Sequence, residues 1–125
     1  MLRSLVGSEM CIRDRAQLRA YLSGLSVRAV QNGYRGCGLT NAAVEYPEAG
    51  HPARVVAVEH KLELRRRLAA MAAEMGAPDP GALGDGLLLL IEGAFVSSQL
   101  FGEGGPAGRV ADMADKLIAA HVGCR

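Results

Sequence analysis

The stretch 80-PGALGDGLLLLIEGAFVSSQLF-101 decides the fold. Asp79-Pro80 offers a capping side chain and a first-turn proline before it, and Gly102 stands after it as a terminator, so the spacing predicts one long helix. Leu83, Leu87, Leu88, Leu89, Leu90, Ile91, Phe95, Val96 and Leu100 point in every direction around that helix. A helix apolar all round must be enclosed on more than one side. The chain has 125 residues and 13.1 kDa, room for one small domain and too little protein to surround such a helix alone. A second subunit is the simplest source of the missing cover.

The polar residues of the same stretch are as informative. Asp85, Glu92 and Gln99 recur every seven positions and form one narrow stripe, flanked by Leu88, Phe95 and Val96. A buried carboxylate is costly unless paired, so Glu92 needs either water or a partner. Two readings stay open: a solvated stripe, or a few polar groups that orient a ligand in an apolar pocket. Gly86 and Gly93 share a face with Ala82, where a small-residue surface lets another helix approach closely.

On the C-terminal side, a flexible Gly102–Pro106 loop leads to Ala107, Val110, Ala111, Ala114, Leu117, Ile118 and His121, the stripe of an amphipathic fifth helix. Arg109, Asp112 and Lys116 lie opposite, with Asp112 and Lys116 spaced as an i, i+4 ion pair.

On the N-terminal side, a long third helix starts at His51-Pro52 and stops at Gly76. Its first half groups Val55, Val58 and Leu62, and its second half turns Leu64, Leu68, Met71 and Met75 to nearly the opposite side. It must serve two different surroundings. Glu59 projects among Val55, Val56 and Leu62, and His60 borders Leu64 and Met71. Arg65-Arg66-Arg67 spreads over about 200° of the helix, and Glu63 can pair with Arg67, so a solvated face explains it better than phosphate contacts. A short second helix is predicted over Leu39–Tyr46, stopped by Pro47. The first covers Ala16–Val30, on Leu18, Tyr21, Leu22, Leu25 and Ala29, and ends at Asn32-Gly33. Scarce β-branched and aromatic residues agree with this all-α reading of about five helices.

Residues 1–15, MLRSLVGSEMCIRDR, show neither helical nor strand period and adjoin the first helix abruptly. They look like the conceptual translation of a sequencing adaptor, so the stretch is expected to be a non-native or disordered leader with the natural N-terminus missing. The regulatory domain is then residues 16–125.

Composition excludes several function classes. Fourteen Lys and Arg against thirteen Asp and Glu give +1, without the positive excess that phosphate backbones demand. The apolar run Gly86–Val96, broken by Glu92, is about half the ~20 residues of a membrane span. Cys11, Cys37 and Cys124 form no C-x-x-C pair and have no His at metal spacing, which suggests neither a disulfide framework nor a zinc knuckle and makes a reduced cytoplasm the default. No nucleophile elbow, P-loop, zincin or dinucleotide motif is present, so no enzyme and no cofactor are expected.

The segment Gly33-Tyr34-Arg35-Gly36-Cys37, then Asn41-Ala42-Ala43 and Glu45, followed by Pro47, His51-Pro52 and a long basic helix, is similar to the regulatory half of TetR-type transcriptional repressors. The resemblance spans residues 16–125. It implies a homodimeric, all-helical effector-sensing domain whose last two long helices form a four-helix interface with their counterparts. It implies a DNA-binding helix-turn-helix upstream, about fifty residues that this chain lacks, so DNA is expected as a partner only through that domain. The expected effector is small and mostly apolar, with Asn41, Glu59, His60, Glu92, Phe95 and Gln99 as candidate ligand residues. Gly86, Leu89, Gly93, Val96, Val110 and Leu117 are the candidate interface. A helical protein-interaction module without a small ligand is the competing reading.

Overall fold

The computed structural model describes residues 2–29 and 36–123. They form helices α1 (Leu2–Ala29), α2 (Gly38–Glu45), α3 (Pro52–Glu74), α4 (Pro80–Phe101) and α5 (Val110–His121), the last entered through a 3-10 turn over Pro106–Arg109. The domain is all-α. The Asn32-Gly33 stop, like Tyr34-Arg35, lies outside the described residues.

The helix ends follow local chemistry. The Asp79 carboxylate accepts the Ala82 N–H at 3.1 Å, and Pro80 takes the first turn. At α3, the His51 ring nitrogen Nδ1 accepts from the Ala53 N–H at 3.1 Å ahead of Pro52. Gly76, at φ +87°, ends that helix while the Ala77 N–H returns to the Ala72 carbonyl and the Gly76 N–H to Ala73, a Schellman closure.

The core gathers one stripe from each long helix: Leu18, Leu22 and Leu25 of α1, Leu68, Ala72 and Met75 of α3, Leu83, Leu87, Ile91 and Ala94 of α4, and Val110, Ala111, Ala114 and Ile118 of α5. The two-sided character of α3 is real. Its second half enters the core, whereas Val55, Val58 and Leu62 stay exposed. Helices α3 and α4 come into close contact at Gly84, where an added Cβ would sit 2.9 Å from the Ala69 backbone nitrogen.

Three features depart from expectation. First, α1 passes Ala16 without a break, because the apolar comb extends back through Cys11 and Asp14, both buried. One tooth of that comb is a carboxylate, which hid the period. Burial, with the hydrogen bond and charge of Glu74, raises the Asp14 carboxyl to about 6 against the lowering pull of Arg13. Second, Cys11 is disulfide-bonded, a pairing the cysteine spacing does not suggest. Third, Arg19 of α1 pairs with Asp115 and, at 3.2 Å, with Asp112, so the acids of α5 tie down α1 instead of making the Asp112–Lys116 pair.

Helix α4 is long and apolar enough to cross a membrane by length and composition. Here it is a packed central helix, with Leu83, Leu87 and Ile91 in the core and Asp85 and Glu92 in ion pairs with α3.

Candidate functional site

The heptad-spaced stripe Asp85–Glu92–Gln99 is open to water at Asp85 and Gln99 and half-buried at Glu92, yet each of its side chains is paired. It forms a polar seam against α2 and α3. Asp85 receives both the Nε (2.7 Å) and an Nη (2.9 Å) of Arg65. Glu92 holds the Lys61 ammonium at 2.6 Å on one oxygen and accepts the Thr40 hydroxyl at 2.8 Å on the other. Gln99 donates to the Asn41 side-chain oxygen at 3.2 Å. The Glu92 carboxylate, which would be costly buried alone, is satisfied by a cation and a hydroxyl, the condition a half-buried charge has to meet.

Lys61 is the hub of the seam. Its ammonium also donates to the Cys37 sulfur at 3.3 Å and lies 5.2 Å from the Phe95 ring centroid, a cation–π distance. Burial pulls the Lys61 pKa down, but Glu92 and Cys37 outweigh it and hold the ammonium above its ordinary value. Burial likewise pushes the Cys37 thiol up. The Thr40 backbone and hydroxyl, Lys61 and the Leu39 backbone more than reverse this and hold it below the usual thiol range. Cys37 caps α2, and Gly36 before it has φ +78°, with a built Cβ falling 2.6 Å from the Gln99 amide and 2.8 Å from the Phe95 carbonyl. Only glycine fits there, which gives the Gly36-Cys37 pair its physical sense.

Beside the seam lies a cleft of about 260 Å³ between α2, α3 and α4, walled by Ala43, Ala57, Val58, Leu62 and Leu88 and by the stems of Lys61 and Arg65. Of the ligand candidates, Asn41, Glu92, Phe95 and Gln99 come together along the seam. Glu59 and His60 do not: both are exposed, because 100° per residue carries them off the face of α3 that holds Lys61. Thr40 and Lys61 are not singled out by the sequence, and Arg65 reads there as part of a solvated face, not as the partner of Asp85. Their signal was charge complementarity, Lys61 and Arg65 one turn apart on α3 opposite the Asp85–Glu92 stripe of α4.

The interface candidates also divide. Leu89 is 73% and Val96 47% exposed; with exposed Gly93, and Leu100 at 74%, they form one uncovered stripe of α4. A shallow apolar depression of about 200 Å³ runs from Leu89, Leu90 and Gly93 to Pro106 and Met113. Gly86, Val110 and Leu117 lie elsewhere, between α4 and α5. Val110 is buried, and an added Cβ at Gly86 would sit 2.7 Å from Leu117, so these three pack α4 on α5 within one chain. Among the described residues no three His, Cys, Asp or Glu converge as a metal site.

The arrangement matches a known architecture. A TetR-family transcriptional regulator from Streptomyces coelicolor superposes with a TM-score of 0.70 over 86% of this chain, at 25% sequence identity. This is the fold of a TetR-family regulator. The chain spans 55% of that regulator's length. No family model and no curated protein matches the sequence. The TetR-like chain thus carries a transcriptional-regulator fold in which the central helix has an internal polar seam on one side and a bare apolar stripe on another.

Proposed function

We propose that this chain carries, in residues 16–125, the effector-sensing and dimerisation domain of a TetR-type repressor, with the buried Cys11 and Asp14 of α1 packed onto it. The observation that carries this reading is the division of α4. One helix bears both an uncovered Leu89–Gly93–Val96–Leu100 stripe, fit for a second copy, and a polar seam beside an apolar cleft, fit for a ligand. The likeness to a TetR-family regulator supports the same division of labour.

In this reading the effector enters the cleft that Lys61 helps to wall, and the adjoining seam of Asn41, Glu92, Phe95 and Gln99 ties α2 and α3 to α4 beside it. An effector that fits one arrangement of α2, α3 and α4 better than another shifts the dimer between them; only such differential affinity couples the sites, not tight binding alone. DNA contact belongs to a helix-turn-helix domain that the described residues do not include. The bare stripe alone would equally serve a helical interaction module, but such a module has no use for the cleft and its seam.

Sedimentation velocity tests the reading. The chain should be a dimer at micromolar concentration, held by a total burial of roughly 1,200–2,000 Å². Leu89→Glu combined with Leu100→Glu should give a monomer of unchanged helical content. A monomeric parent chain would overturn the dimer reading.

A further inference from the structure

We propose that the cleft between α2, α3 and α4 takes a medium-chain monocarboxylate, its apolar tail among Ala43, Ala57, Val58, Leu62 and Leu88 and its head on the Arg54 guanidinium. The inference rests on the effector-sensing reading and adds to it the ligand class.

The tail follows from the walls. Val58 and Leu62 are 41% and 46% exposed, apolar surface left open among the described residues, and Lys61 and Arg65 contribute only their stems to the cleft. A methylene occupies about the room of a water, about 30 Å³, so about 260 Å³ holds roughly eight carbons.

The head follows from charge. Arg54, Lys61 and Arg65 stand at i, i+7 and i+11, one stripe of α3 on the cleft side. Lys61 and Arg65 are neutralised by Glu92 and Asp85. Arg54 is different. It is half-buried, it donates from Nη1 to the Ala43 carbonyl at 2.6 Å, and among the described residues no carboxylate lies within ion-pair distance of it. Ala43 is itself part of the cleft wall, so the Arg54 guanidinium adjoins the α2 end of the apolar space without lining it. A guanidinium has five N–H donors in a planar fork, of which this contact uses one, and the fork suits a carboxylate. One unpaired cation matches a monoanion. A cationic head would meet like charge, and a neutral head would leave Arg54 as it stands.

Calorimetric titration of the full chain with octanoate, 1-octanol and octylamine, all below micellar concentration, tests the assignment. Octanoate should bind at least tenfold more tightly than 1-octanol, octylamine should not bind, and each methylene removed from the acid should weaken binding about fourfold. Arg54→Gln should bring octanoate down to the level of 1-octanol without changing 1-octanol, and Arg54→Lys should keep part of the preference. Val58→Trp, on a half-open wall, should block both ligands; circular dichroism checks that each variant folds. Equal affinity of acid and alcohol overturns the head-group assignment while leaving a ligand-binding cleft. A carboxylate preference that survives Arg54→Gln, or octanoate binding that survives Val58→Trp, places the anion elsewhere and overturns the proposal. If neither series binds, the cleft fails as a ligand site and the sensing reading falls with it, whatever sedimentation shows of the dimer.

Discussion

Two sides of α4 carry nearly the same residues and lead opposite lives. Leu83, Leu87, Ile91 and Ala94 are sealed between α1, α3 and α5, while Leu89, Val96 and Leu100, almost diametrically across the helix, face outward. Nothing in their chemistry separates them. What separates them is which neighbours the loops bring to each side, and a domain this small runs out of helices after covering one. An apolar circumference therefore states how much cover a helix needs, not where its own chain supplies it.

The comparison is broken most directly by the same truncation on each side. Leu87→Ala removes a side chain that is 1% exposed and leaves a cavity, so it should cost about 2–5 kcal/mol in urea denaturation. Leu89→Ala, made under dilute conditions where the chain is monomeric, should change stability by less than about 0.5 kcal/mol and instead lower the sedimentation-derived dimer affinity. Equal losses from the two would mean that the outer side is already covered within the chain.

Much of this was legible in advance, for reasons that can be named. Pro52, Pro80, Asp79 and Gly76 mark helix ends by local rules, and they do so in the structure. The stripe Asp85–Glu92–Gln99 was visible as a heptad. What it faces was not, since that depends on the rotation of α3 about its axis, which also decides that Lys61 and Arg65 meet it while Glu59 and His60 turn away. Gly86 and Gly93 looked like one surface for one partner. In three dimensions Leu117 claims the first, and among the described residues nothing lies within 4 Å of a Cβ at the second. The start of α1 was misread for the opposite reason, because Asp14 put a carboxylate where the pattern required an apolar residue.

Glycines sharpen the contrast at smaller scale. At Gly84 on the inner side, an alanine methyl would meet the Ala69 backbone at 2.9–3.0 Å, and backbone cannot swing aside as a side-chain tip can. Gly84→Ala should therefore force α3 and α4 apart and cost about 1–3 kcal/mol by thermal or urea unfolding. Gly93→Ala has nothing within 4 Å and replaces a flexible residue in a helix interior, so the monomer should gain up to about 1 kcal/mol. A loss at Gly93 under monomeric conditions would place an unseen neighbour there.

The smallest effect separates the sides by pH. The outer residues Leu89, Gly93, Val96 and Leu100 cannot titrate, whereas the seam can. The hydrogen bond from Arg65, with its charge and against slight burial, holds the Asp85 carboxyl below its ordinary value. A folded pKa below the unfolded value near 4 stabilises the fold above that value and ceases to do so as pH falls through the folded pKa. Asp14 has the opposite sign. Its carboxyl, raised to about 6, favours the fold below about pH 4 and loses that contribution as pH rises through 6. Urea midpoints followed from pH 3 to 8 should thus fall at the acid end in a way that Asp85→Asn removes, and should decline between pH 4 and 6 in a way that Asp14→Asn removes. Leu89→Ala should leave both limbs in place. An acid limb unchanged by Asp85→Asn would mean that the Arg65 pair contributes nothing to the fold, as many exposed ion pairs do, and that the seam is held by its Glu92 and Gln99 contacts.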